Sequence, residues 1–114
     1  MRRFPKPIIA STRGAVAGAG VSLAAACDYA IAAKSARFTL AYTAAGLSPD
    51  GSSTWFLPRL IGLRRARELM LTNRMLSADE ALDMNIIDRV VSDEALEDEA
   101  MALAKQFAEG PTRA

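Results

Sequence analysis

Apolar residues follow two regimes along this chain. Up to about residue 40 they come in short runs punctuated by glycine; from about residue 54 they recur every three or four positions. Pro7-Ile-Ile-Ala-Ser-Thr12 predicts a short buried strand, because β-branched residues follow a proline that cannot donate within a ladder. Tyr29-Ala-Ile-Ala-Ala33 and Arg37-Phe-Thr-Leu40 predict two more strands. Between the first and second, glycines at 14, 18 and 20 permit a sharp turn, and the small residues from Gly20 to Asp28 suit a buried helix packed closely on a sheet. Residues 42–53, broken by Gly46, Pro49 and Gly51, predict a loop. Residues 54–61 predict a helix disturbed at Pro58, and Leu63, Ala66 and Met70 make one face of the next. Ser77-Ala-Asp-Glu80 has the form of a capping box. Residues 86–91 predict a strand, and Ser92-Asp-Glu opens a last helix with acids at its positive end. Leu96, Ala100, Leu103 and Phe107 form that helix's buried stripe, and Gly110-Pro111 stops it. The order is that of an α/β protein whose helices accumulate toward the C-terminus.

Composition narrows the chemistry. A length of 114 residues predicts one domain, and 51% hydrophobic with 24% charged residues is a soluble globular balance. Fourteen basic against thirteen acidic residues leave +1, so no global field draws the chain to nucleic acid or anionic lipid. Arg64, Arg65, Arg67 and Arg74 cluster locally, as a solvated helix face or as an anion contact. No uninterrupted apolar run reaches the ~18 residues of a membrane span. The start, Met1-Arg-Arg-Phe-Pro, lacks the long apolar segment of a signal peptide. A single cysteine, Cys27, excludes an internal disulfide and fits a reducing compartment, hence a cytoplasmic expectation. Its Ala-Ala-Ala approach reads as a core thiol. With no histidine, neither a zinc site nor a Ser-His or Cys-His nucleophile pair can be built within this chain, and no metal is expected.

Two segments carry what chemistry there is. Gly18-Ala-Gly20 is not a dinucleotide fingerprint, since the third position is Leu23, and it lacks the ending of a phosphate loop. A strand, turn and helix remain, whose first amides have no intrahelical partner and can hold an anion. A purely structural turn is the plainer alternative. In Gly46-Leu-Ser-Pro-Asp50-Gly-Ser-Ser-Thr54, Asp50 is either a proton-transfer group or the cap of a helix beginning near Ser52 or Ser53.

From Lys6 to Asp28 the chain resembles the crotonase superfamily, the enoyl-CoA hydratases and isomerases. The resemblance continues through Ala36-Arg-Phe38, Gly46-Leu-Ser-Pro49, Leu57-Pro-Arg-Leu-Ile-Gly62, Ala66-Arg-Glu-Leu-Met-Leu-Thr72, Ser77-Ala-Asp-Glu-Ala-Leu82 and Ile86-Ile-Asp-Arg-Val-Val91. It implies a ClpP/crotonase-type ββα core within an α/β fold. It also implies an acyl-CoA thioester as substrate, with coenzyme A carried by the substrate and no separate cofactor. The main-chain N–H of Ala19, flanked by Gly18 and Gly20, is then one of two amides holding the thioester oxygen. Because the donor is backbone, alanine serves where many members have glycine.

Departures from the family pattern refine the expectation. Ser22 and Tyr42 stand where hydratases carry glutamates, which argues against a standard hydratase. Asp50 matches the aspartate of a subgroup resembling phenylacetate-pathway epoxyphenylacetyl-CoA isomerases and related enoyl-CoA isomerases. There one carboxylate moves a proton between carbons, as base and then acid. Asp50 also matches the nucleophile of coenzyme A-thioester dehalogenases, which pair it with a tryptophan eight residues earlier and a histidine; here that place is Tyr42 and histidine is absent. Tyr42, Trp55 and Phe56 line an aromatic-tolerant pocket or belong to the core. Family domains are about twice this length, so residues 1–114 correspond to the central part of one, with its first oxyanion amide and its trimer-forming helices outside it. The expectations are thus an isomerase within a homotrimer or dimer of trimers, with a hydratase-like or dehalogenase-like member, or a noncatalytic acyl-CoA-binding module, as the alternatives.

Overall fold

The computed structural model of the chain describes residues 3–41 and 53–111. Strands β1 (Ile9–Thr12) and β2 (Ala15–Ala17) lead into helix α1 (Ala19–Ala26), then β3 (Tyr29–Ala33) and β4 (Arg37–Thr39). The second half runs α2 (Ser53–Ile61), α3 (Leu63–Thr72), β5 (Leu76–Ser77), α4 (Ala78–Asp83), β6 (Arg89–Val91), a 3-10 turn (Asp93–Ala95) and α5 (Leu96–Glu109). One sheet has the order β1-β3-β6, all parallel; the other is β2-β4-β5, parallel except at β5. The chain is α/β around a ββα unit, as expected. No helix among the described residues is long and apolar enough to cross a membrane.

The sheets meet at α1. Ala30 and Ala32 of β3 face one core with Val21, Ala25, Phe38, Leu57, Leu69 and Leu76. Ile31 and Ala33 face the other way, onto Leu96 and Leu103 of α5. Alternate residues of β3 therefore bury both faces, as a strand paired in parallel on either side requires. Ala100 and Phe107 are half-buried beside Leu96 and Leu103, so the α5 stripe read from the sequence is the stripe that packs.

Two aspartates start the parallel pairing. Asp28 accepts the Ile8 N–H at 2.8 Å while its own N–H donates to the Ile8 carbonyl at 2.9 Å. Asp88 repeats the clamp on Ala30, with both contacts at 2.8 Å. Each clamp fixes a neighbouring strand by both backbone groups and sets its register.

Several expectations change in detail. Residues 14–20 are not one turn: β2 is inserted there, between Gly14 at φ 66° and Gly18 at φ 54°. Its three residues bury only Val16, too little alternation to be read as a strand. The 86–91 strand shortens to Arg89–Val91, because Asp88 is occupied in its clamp. The final helix opens with a 3-10 turn capped by the Ser92 hydroxyl on the Ala95 N–H. In that turn Asp93 accepts the Ser35 hydroxyl and N–H, tying it to the β3–β4 corner. Cys27 is half-buried rather than sealed in the core; its thiol donates to the Leu23 carbonyl at 3.2 Å. Burial first, and the Asp28 charge second, push that thiol above its ordinary pKa.

The capping box forms as read. The Ser77 hydroxyl accepts the Glu80 N–H at 3.1 Å, and Glu80 Oε1 accepts the Ser77 N–H at 3.0 Å. The Ser77 N–H first, and the Ser77 hydroxyl second, hold the Glu80 carboxyl below its usual value. Ser77→Ala is expected to cost about 1 kcal/mol of stability. Because the folded pKa is depressed, the ionised Glu80 contributes fully above its unfolded pKa, about 4.3, and loses that contribution as pH falls through the folded value. Denaturant titrations of wild type and Glu80→Ala should accordingly diverge most at neutral pH and draw together as pH falls through the folded value, whereas Ser77→Ala, which leaves the backbone N–H in place, should keep most of its deficit in acid.

Candidate active site

The N-terminus of α1 is built by a handover from strand to helix. Parallel pairing of β2 with β4 ends where the Gly18 N–H donates to the Thr39 carbonyl at 3.0 Å. Gly18 then adopts φ 54° and ψ −119°, a backbone state open to glycine and strained for other residues. Its carbonyl turns to accept the Val21 and Ser22 N–H groups at 3.1 and 3.4 Å, which starts the helix. Ala19 and Gly20 fall in the gap: neither N–H donates to an acceptor among the described residues. Ala19 is exposed, and no acidic residue stands in the first turn to neutralise the helix end. Two free amides at the positive end of a helix make an anion-binding geometry.

Thr39 is the support that sequence reasoning missed. Its carbonyl anchors Gly18, and its hydroxyl donates to the Asn73 carbonyl at 2.9 Å, at the end of α3. Only the register of β2 on β4 reveals this, and β2 itself was not legible.

Ser22, at the hydratase-glutamate position, is fully buried with 0% exposure. A carboxylate there would have to be desolvated and supplied with partners, at large cost. Gly18 and Gly20 flank the Ala19 amide as expected. Asp50 and Tyr42 lie outside the described residues. Trp55 is placed elsewhere. It lines a cleft with Phe4, Ala26, Cys27, Asp28 and Arg59, at the C-terminal end of α1. That end is about 12 Å of helix from Ala19, so the structure does not bring the two together. The indole meets Phe56 edge-on at 4.8 Å and carries the Arg59 guanidinium on its face at 3.7 Å.

The arginine cluster divides. Arg74 is held by Glu68 at 2.8 Å and Glu80 at 3.5 Å, whereas Arg64, Arg65 and Arg67 lie exposed on α3. No group of three or more cysteine, aspartate or glutamate side chains suited to a metal occurs among the described residues.

Comparison with known proteins agrees with the geometry. The enoyl-CoA hydratase/isomerase family profile matches residues 1–114. The chain is 45% identical over 112 residues to 1,2-epoxyphenylacetyl-CoA isomerase of Escherichia coli (strain K12), covering 98% of this chain and 43% of that protein. It is 38% identical over 112 residues to 4-chlorobenzoyl coenzyme A dehalogenase-1 of an Arthrobacter species, covering 98% of this chain and 41% of that protein. Among solved structures, an enoyl-CoA hydratase from Mycobacterium avium subsp. paratuberculosis K-10 superposes with a TM-score of 0.92 at 35% identity, over 96% of this chain and 44% of that one. The chain thus spans less than half the length of the curated relatives it matches. With its ββα core, its open helix end and a family match along its whole length, the chain belongs to the enoyl-CoA hydratase/isomerase, or crotonase, family.

Proposed function

We propose that the protein containing this chain is an enoyl-CoA isomerase that moves a double bond through a thioester enolate. The single observation that carries the reading is the pair of uncommitted amides at Ala19 and Gly20, at a helix end with no acid of its own. Removing a proton from the carbon chain of an enoyl thioester sends its electrons to the thioester oxygen. The Ala19 N–H takes up the developing negative charge, and Gly18 and Gly20 allow the approach. Asp50 removes the proton from one carbon as a carboxylate and returns it to another as the acid. The enolate collapses with its double bond moved, and the carboxylate is regenerated. Two features favour isomerisation over hydration: Ser22 and Tyr42 stand at the hydratase glutamate positions, and the isomerase from Escherichia coli is 45% identical. Tyr42 would border the acyl group, and a homotrimer would complete the site.

The complete polypeptide, offered 2-enoyl and 3-enoyl thioesters, is expected to interconvert them without net water addition. Formation of a 3-hydroxyacyl thioester as the main product would make it a hydratase. The dehalogenase likeness gives a second assay, chloride release from 4-chlorobenzoyl-CoA, for which no release is expected. Tight thioester binding with no product of any kind would make the protein an acyl-CoA-binding module.

A further inference from the structure

Strand β4 is held unequally on its two sides. β2 pairs with all three of its residues, Ala15 with Arg37, Val16 with Phe38 and Ala17 with Thr39. β5 pairs with only two, Ser77 with Arg37 and Leu76 with Phe38. At Thr39 the ladder to β5 has therefore ended, and a side chain takes over. The Thr39 hydroxyl donates to the Asn73 carbonyl at 2.9 Å, across 34 residues of sequence.

The acceptor is itself well fixed. Asn73 caps α3 in the left-handed region, at φ 53° and ψ 26°, and its N–H donates to the Leu69 carbonyl at 3.0 Å. The next residue, Arg74, pairs with Glu68 of α3 and Glu80 of α4. Thr39 thus joins two frames. Its carbonyl accepts the Gly18 N–H at 3.0 Å, while its hydroxyl ties the same residue to the end of α3. It is half-buried and lines an apolar recess with Val21, Leu57, Leu69 and Leu76. In such surroundings a hydrogen bond is strengthened, and its loss is poorly made good by water.

We propose that Thr39 is a positioning residue: its hydroxyl bond to α3 fixes the carbonyl that holds Gly18, and so sets where α1 opens and where the Ala19 amide stands. Threonine suits both demands, since its branched side chain favours a strand and its hydroxyl supplies the donor. An oxyanion donor works by standing in place before the charge develops. Slack in Gly18 would therefore weaken transition-state stabilisation more than substrate binding. The inference rests on the proposed role of the Ala19 N–H in holding the enolate.

The test compares Thr39→Val, which keeps the shape and deletes the donor, with Thr39→Ser, which restores the donor, in the complete protein. Hydrogen exchange at the Gly18 amide is read by NMR beside kcat and KM for double-bond migration, with the α5 amides as a remote control. Valine should speed Gly18 exchange about tenfold, the size of one net hydrogen bond, and leave α5 unchanged. It should lower kcat by about tenfold with KM within about twofold, and serine should recover most of both losses. If the valine protein does not fold, Thr39→Ala replaces it, because the smaller side chain lets water reach the Asn73 carbonyl. Unchanged exchange at Gly18 in the valine protein overturns the inference. So does a fall in kcat that serine fails to recover, or one that comes with faster exchange throughout α5, since either marks a merely structural effect. Faster Gly18 exchange with an unchanged kcat overturns the link to the site. If the wild type moves no double bond at all, the isomerase reading falls, and Gly18 exchange in the valine and serine proteins alone decides whether the hydroxyl holds the opening of α1.

Discussion

Ala19→Pro in the complete protein is expected to lower kcat roughly 100- to 1,000-fold, the usual cost of one lost oxyanion donor. Fold stability should hardly change. Ala19 is the first residue of α1, where a proline ring fits and where the N–H has no intrahelical use. The residue before a proline must avoid helical backbone, and Gly18 does so at ψ −119°. Ala19 is exposed, so the ring has room. The substitution therefore deletes one hydrogen-bond donor and little else. Ala19→Gly, which keeps the N–H, should retain most of the rate. Steady-state kinetics and a thermal melt on both variants provide the check. A proline variant with wild-type kcat would remove Ala19 from the site, and one that unfolds would show that the handover at Gly18 tolerates less than its geometry suggests.

What the sequence revealed depended on how local the signal was. The capping box at Ser77 and Glu80 is a four-residue pattern, and it formed as read. The α5 stripe is a helical period over twelve positions, from Leu96 to Phe107, and it also packed as read. The parallel strands β1, β3 and β4 announced themselves through β-branched or small apolar runs. Strand β2 did not, because three residues with one buried side chain carry no period. The aspartate clamps at Asp28 and Asp88 were invisible for another reason: their partners lie 20 and 58 residues away. The start of α1 after Gly18 was legible because closely spaced glycines before a run of small residues mark a helix opening. Its support from Thr39 was not, since that follows only from strand register. The place of Trp55 beside the C-terminal end of α1 was not legible for the same reason, as an aromatic near a loop says nothing about which end of a helix it reaches.

Asp50→Asn separates the two roles open to that residue. Asparagine caps a helix about as well as aspartate, so a residue that only caps would leave both stability and rate near wild type. Asparagine cannot take up a proton from carbon, so a residue that moves the proton would lose about 100- to 10,000-fold in kcat with the melt unchanged. The second outcome is expected. KM should move little, because the backbone amides proposed to hold the thioester oxygen are not touched by this change. Asp50→Ala adds the complementary measurement: it removes the cap as well, so it should lose stability by about 1 kcal/mol on top of the same loss of rate, if the side chain does both jobs. Double-bond migration that proceeds at the wild-type rate in Asp50→Asn would sink the assignment of Asp50 as the proton carrier, and the search for the base would move to the part of the family domain that these 114 residues do not span.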